Sequence, residues 1–92
     1  MKEIVINCAK ITTREELHDV LARELNFPDW YGNNLDALHD ELSCEMVPTR
    51  ITVRYAASPK GQMENYQPRL LRVFRDTAEE NYHLEFIYEE IA

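Results

Sequence analysis

Three short runs of strand-forming residues, separated by long helix-patterned segments, restrict the fold of this chain more than any other feature. Ile4-Val5-Ile6 is a continuous β-branched run, the pattern of a strand buried on both faces in a parallel sheet. From Thr49 to Tyr55, Ile51, Val53 and Tyr55 alternate with Thr52 and Arg54. That period of two predicts a strand with one exposed face, placed at a sheet edge. Leu84, Phe86 and Ile87 predict a last strand ending near Tyr88.

The intervening segments carry helix signals. Thr13-Arg14-Glu15-Glu16 fits a capping box, and Leu17, Val20, Leu21 and Leu25 follow at helical spacing, so a first helix is expected from about Arg14 to Leu25. Phe27 to Asn34 is a loop by composition. Gly32 and Asn33 tolerate positive φ, and Asn34 is placed to cap a second helix beginning at Leu35 and ending near Ser43. Leu35, Leu38 and Leu42 form its apolar stripe, whereas Asp36, His39 and Asp40 share another face. A third helix is expected over about Pro68 to Asn81. The order β-α-α-β-α-β with helical crossovers predicts an α/β fold, a small three-stranded parallel sheet packed by three to four helices. At 92 residues, with no repeat or linker, the whole of 1–92 reads as a single domain.

The formal charge of −7 is a local feature. From Glu24 to Thr49 the chain has six acids (Glu24, Asp29, Asp36, Asp40, Glu41, Glu45) and no Lys or Arg, while the remainder is almost balanced. This acidity counts against nucleic acid or an anionic membrane as partner and points to a basic one. The helix macrodipole rationalises Asp36 near the start of the second helix, but not Asp40, Glu41 and Glu45 further along. Trp30-Tyr31 adds a pair of adjacent aromatics that cannot both point inward. Tyr31 is expected as a lid on the core, with Trp30 at the surface among carboxylates, the makeup of a protein-binding hot spot.

Signals for other classes are weak. Gly32 and Gly61 are the only glycines and neither lies in a phosphate-binding loop, so no cofactor is expected. Asp36, His39 and Asp40 would make at best a weak metal or acid-base site, lacking a nucleophile or pocket. Neither an enzyme nor a small-molecule substrate is therefore expected. With no export signal or membrane span in view, a cytoplasmic protein with reduced Cys8 and Cys44 is expected.

The run Phe27-Pro28-Asp29-Trp30-Tyr31-Gly32-Asn33-Asn34-Leu35-Asp36-Ala37-Leu38-His39-Asp40 resembles the signature segment of the barstar family, bacterial intracellular ribonuclease inhibitors. Its most specific part is Tyr-Gly-x-Asn-Leu-Asp-Ala-Leu-x-Asp. The amino-terminal strand, Leu17-His18, Glu24-Leu25 and Val73-Phe74-Arg75 extend the similarity over nearly the whole chain. The resemblance implies a three-stranded parallel sheet and a basic ribonuclease as partner, its phosphate-binding site plugged by carboxylates. It further implies that Asp40 takes the central phosphate position and Asp36 a second basic contact. Trp30, Asn34, His39, Ser43 and the peripheral acid Asp76 are the remaining implied contacts.

This sequence departs from the family pattern at the contact surface. His39 stands in place of Trp and Trp30 in place of Tyr. Ser43-Cys44-Glu45-Met46 is one residue short and lacks an aromatic. His39, placed between Asp36 and Asp40, would lower the local negative charge on protonation. Val47-Pro48 aligns with a cis bond of the family. Two other readings stand beside the inhibitor: a regulatory domain on the same scaffold that binds a different basic protein, and a small enzyme or metal protein using Asp36, His39 and Asp40.

Overall fold

A computed structural model describes residues 1–92, with strands β1 (Lys2–Asn7), β2 (Thr49–Ala56) and β3 (Leu84–Ile91) and helices α1 (Arg14–Leu25), α2 (Leu35–Ser43) and α3 (Met63–Glu80). The chain order is β1-α1-α2-β2-α3-β3, and the sheet is fully parallel in the order β1-β2-β3. The fold class therefore matches the α/β expectation, with three helices. Both crossovers step across the sheet in the same direction. Since such crossovers share one hand, they lay all the helices on one face.

That one-sidedness corrects the reading of two strands. β1 was expected to be buried on both faces and β2 to lie at an edge; β1 is an edge strand and β2 the central one. Ile6, Ile51, Val53 and Leu84 face the helices and are buried, whereas Val5 on the opposite face is 55% exposed. A β-branched run records strand propensity but not whether a second layer covers it. The bare face is occupied by ion pairs instead. Arg50 reaches Glu3 and Glu85 at 3.3 Å each, across the register Glu3↔Arg50↔Glu85, and Arg54 Nε lies 3.3 Å from Glu89.

α1 has the expected limits because its signals are local. The Thr13 hydroxyl accepts from the Glu16 N–H at 3.2 Å, and Leu17 and Leu21 point into the core. At its far end Asn26 adopts a left-handed conformation (φ 56°), and its N–H and that of Phe27 both return to the Ala22 carbonyl.

α3 starts five residues before the expected Pro68. Pro68 is its sixth residue, where its ring removes the bond to the Glu64 carbonyl, so it is not the helix start that its preference for first turns suggests. Burial of Met63, Tyr66 and Gln67 favours the extra turn. β3 also runs three residues past the expected Tyr88, because β2 continues to offer partners as far as Ala56↔Ile91. Every peptide bond is trans, Val47–Pro48 included, in contrast to the cis bond implied there. Cys8 and Cys44 are both free thiols, and burial pushes the Cys8 thiol up to about 11. No helix is long and apolar enough to cross a membrane.

Candidate protein-binding site

The loop from Phe27 to Asn34 is rigid for reasons visible in its residues. The Phe27 and Tyr31 rings pack 4.7 Å apart, and the Tyr31 N–H closes a turn on the Pro28 carbonyl. Asn33 takes the left-handed conformation (φ 53°), but Gly32 does not. Glycine is needed at 32 for close approach instead. A Cβ there would meet the Ala37 Cβ and the Asn34 amide nitrogen at 3.3 Å. Asn34 then caps α2: its Oδ1 accepts from the Ala37 N–H at 2.8 Å, while its Nδ2 donates to the Gly32 carbonyl at 3.1 Å.

The adjacent aromatics part as expected. Tyr31 is buried, and Trp30 is 84% exposed. Beside Trp30 lies a shallow open depression of about 260 Å³, lined also by Gly32, Ala37, Asp40 and Glu41. Asp36 is exposed one helical turn before Asp40, whose side chain is 85% exposed. None of the acids from Asp29 to Glu45 pairs with a lysine or arginine; the flanking Glu24 alone has such a partner, Arg23. The structure thus gathers Trp30 and Asp40 at one depression, leaves Asp36 outside its lining one turn before Asp40, and adds Glu41, which the sequence placed in the acidic stretch but not in the site.

Other expected contacts have different surroundings. His39 does not sit between Asp36 and Asp40. Its Nε2 is 2.9 Å from the Glu80 carboxylate on α3, and its Nδ1 lies 3.5 Å from the Ser43 hydroxyl and 4.0 Å from Asp40. Both side-chain polar atoms of Asn34 are engaged in the cap. Asp76 is exposed on α3, one turn before Glu80, and makes no ion pair. Asp36, His39 and Asp40 do not converge, and no three His, Cys, Asp or Glu side chains gather to hold a metal ion.

Two buried polar residues fix this surface from behind, and the sequence reading gave neither a role. His18 on α1 is fully buried, with its ring nitrogens 2.8 Å from the hydroxyls of Tyr31 and Tyr66. A neutral imidazole has one donor and one acceptor nitrogen, so one tyrosine accepts and the other donates. Burial lowers the His18 pKa, opposed by the charge of Asp19, and it raises those of Tyr31 and Tyr66. His18 lies within the Leu17-Leu21 stripe, a position from which its burial could have been inferred. The second residue is Asn81. Its Nδ2 donates to the Leu42 and Glu45 carbonyls at 3.0 and 2.9 Å, and its Oδ1 accepts from the His83 N–H at 3.0 Å. The C-terminal carbonyls of α2, which has no basic residue in its last turn, are thereby tied to the entrance of β3.

The family model described as Barstar (barnase inhibitor) matches residues 1–89. A Bacillus subtilis (strain 168) protein named "Putative ribonuclease inhibitor YrdF" is 33% identical over 81 residues, covering 87% of this chain and 89% of that protein.

Proposed function

This chain belongs to the barstar family, and from that premise we propose that it inhibits a basic bacterial ribonuclease by plugging the active site with the carboxylates of α2. Its relatives support a ribonuclease-inhibitor-like function and point to an inhibitor rather than an enzyme. The observation that carries the mechanism is the exposed pair Asp36 and Asp40, one turn apart and without a lysine or arginine partner, with Asp40 lining the same depression as the exposed Trp30.

A ribonuclease must hold a phosphodiester, so its site presents Arg, Lys and His. Carboxylates on a rigid helix replace the phosphate oxygens in charge-assisted hydrogen bonds. Asp40 is the central plug and Asp36 a second contact. Glu41 also lines the depression, and Trp30 provides apolar contact area that orders at little conformational cost. Because these carboxylates have no lysine or arginine partner, binding breaks no such ion pair to free them. Asn34 fixes the helix start, while Ser43, His39 and Asp76 lie at the periphery. The cytoplasm is the compartment in which such an inhibitor protects RNA from a ribonuclease made by the same cell, and residues 1–92 act as one domain.

A second reading, a regulatory domain of this family bound to a different basic protein, is favoured by one observation. His39, at a position of the contact surface, is drawn to Glu80 rather than presented towards a partner. One experiment separates the two. Titration of the protein into basic bacterial ribonucleases cleaving RNA should give stoichiometric inhibition, with an association rate that falls steeply from ~50 to ~500 mM salt. A protein that leaves all such enzymes active while binding another basic protein tightly would establish the second reading.

A further inference from the structure

A crevice larger than the depression beside Trp30 lies away from the acidic surface. It has a volume of about 620 Å³ and opens where β2 and β3 end at Ala56 and Ile91, beside the loop that follows β1. The acidic surface is anchored by Asn81, just before the opposite, amino end of β3. The crevice falls within the size range of small-molecule sites.

Its walls are joined by specific bonds. One is the loop Cys8–Thr13 and the other the loop Ala57–Gln62. The Gln62 N–H donates to the Thr12 carbonyl at 2.8 Å, and the Gln62 side-chain oxygen accepts from the Arg14 N–H at 2.9 Å. Gly61 (φ +61°) comes so close that a Cβ would lie 2.7 Å from the Thr12 carbonyl oxygen. Glycine is therefore required here both for its backbone conformation and for space.

The chemistry of the crevice is the reverse of the rest of the molecule. Lys10 belongs to one wall and Lys60 to the other, and no Asp or Glu lines the space; the one carboxylate there is the terminal group of Ala92. Neither lysine makes an ion pair, in a chain of net charge −7. The backbone N–H groups of Lys10, Thr12, Ser58 and Lys60 make no hydrogen bond within the chain. Ile11, Ala56 and Ile91 supply the apolar lining.

We infer that this crevice is a binding site for a phosphate monoester carried on an apolar body. Two ammonium groups, one from each wall and neither in an ion pair, outweigh the single terminal carboxylate of Ala92, and a net positive crevice draws a dianion more strongly than a monoanion. The free amides add anion-directed donors. The apolar lining accounts for the body of the ligand.

The test is an amide-resolved NMR titration with phenyl phosphate, ribose 5-phosphate, inorganic phosphate and phenol. Phenyl phosphate should produce saturable shifts at Lys10, Thr12, Ser58 and Lys60. It should bind about tenfold more tightly than the other three. Lys10→Gln combined with Lys60→Gln should weaken it by about tenfold or more while leaving ribonuclease inhibition unchanged, so this site and the proposed inhibitory surface fail or succeed separately. Non-saturating shifts, shifts centred on Arg69 and Arg72, or unchanged affinity in the double variant would overturn the assignment. Equal affinity for ribose 5-phosphate would overturn the apolar body.

Discussion

The bare face of the sheet and the surface around Trp30 use the same carboxylate chemistry to opposite ends. On the sheet, Glu3, Glu85 and Glu89 each meet an arginine, so that every one of these carboxylates has a partner along the register. On α2, Asp36, Asp40 and Glu41 have no lysine or arginine partner, and the nearest base, His39, is turned to Glu80. Exposed charge therefore does not mark a binding surface by itself. On the proposed reading it is the uncompensated charge of α2 that binds, because it is available to an incoming cation.

The strongest way to break this contrast is Asp40→Ala. Truncation of a binding hot spot costs ~2 kcal/mol or more, so the ribonuclease Kd should rise by about thirtyfold at least. The Asp40 side chain makes no hydrogen bond that the fold depends on, so the thermal midpoint should stay in place. An Asp40→Ala protein that inhibits as well as the parent would refute the plug.

The next effect separates the two adjacent aromatics. Trp30→Ala should weaken inhibition by about tenfold and leave stability unchanged, as expected of an exposed contact. Tyr31→Phe should do the reverse. It strips one partner from the buried His18 ring, and an unsatisfied buried group costs ~1–3 kcal/mol, measurable by urea denaturation.

His18 sets a pH dependence whose sign follows from its burial. Its folded pKa is lowered, so the unfolded chain binds the proton more readily. The stability contributed by the neutral ring is present above the unfolded value of about 6.5 and is lost as pH falls below it towards the folded value. Urea denaturation between about pH 8 and 5 should show stability falling on the acid side, and His18→Gln should flatten that slope. A slope unchanged by the substitution would assign it to carboxylates instead.

The smallest effect is expected at the ion-paired face. Arg50→Ala removes both ion pairs to Glu3 and Glu85, yet exposed pairs contribute little and salt screens them. Inhibition should be unchanged and the thermal midpoint nearly so. Loss of inhibition would mean that the sheet face takes part in binding.

Local signals explain which parts of this contrast could be read in advance. Thr13 and the Leu17-Leu21-Leu25 stripe set the limits of α1, and Asn34 set the start of α2, because cap and stripe lie within a few residues of one another. The outward Trp30 and inward Tyr31 followed from adjacency alone. Features that depend on partners distant in sequence were not readable. Val5 looks buried until the sheet is known to be covered on one side only. His39 finds Glu80 only because α2 and α3 pack side by side, and Asn81 reaches Leu42 across a similar gap in the chain. Pro68 misled because its local preference was outweighed by the burial of Met63, Tyr66 and Gln67.

The Asn34 cap has an angular consequence. Each residue along an α-helix advances the side-chain direction by about 100°. If the buried stripe Leu35-Leu38-Leu42 were displaced by one residue, Asp36 and Asp40 would keep their spacing but aim at a different quarter of the compass. The Asn34 cap on the Ala37 N–H closes the first turn at the head of that stripe. Stripe and cap together hold the bearing of two carboxylates that the cap never touches.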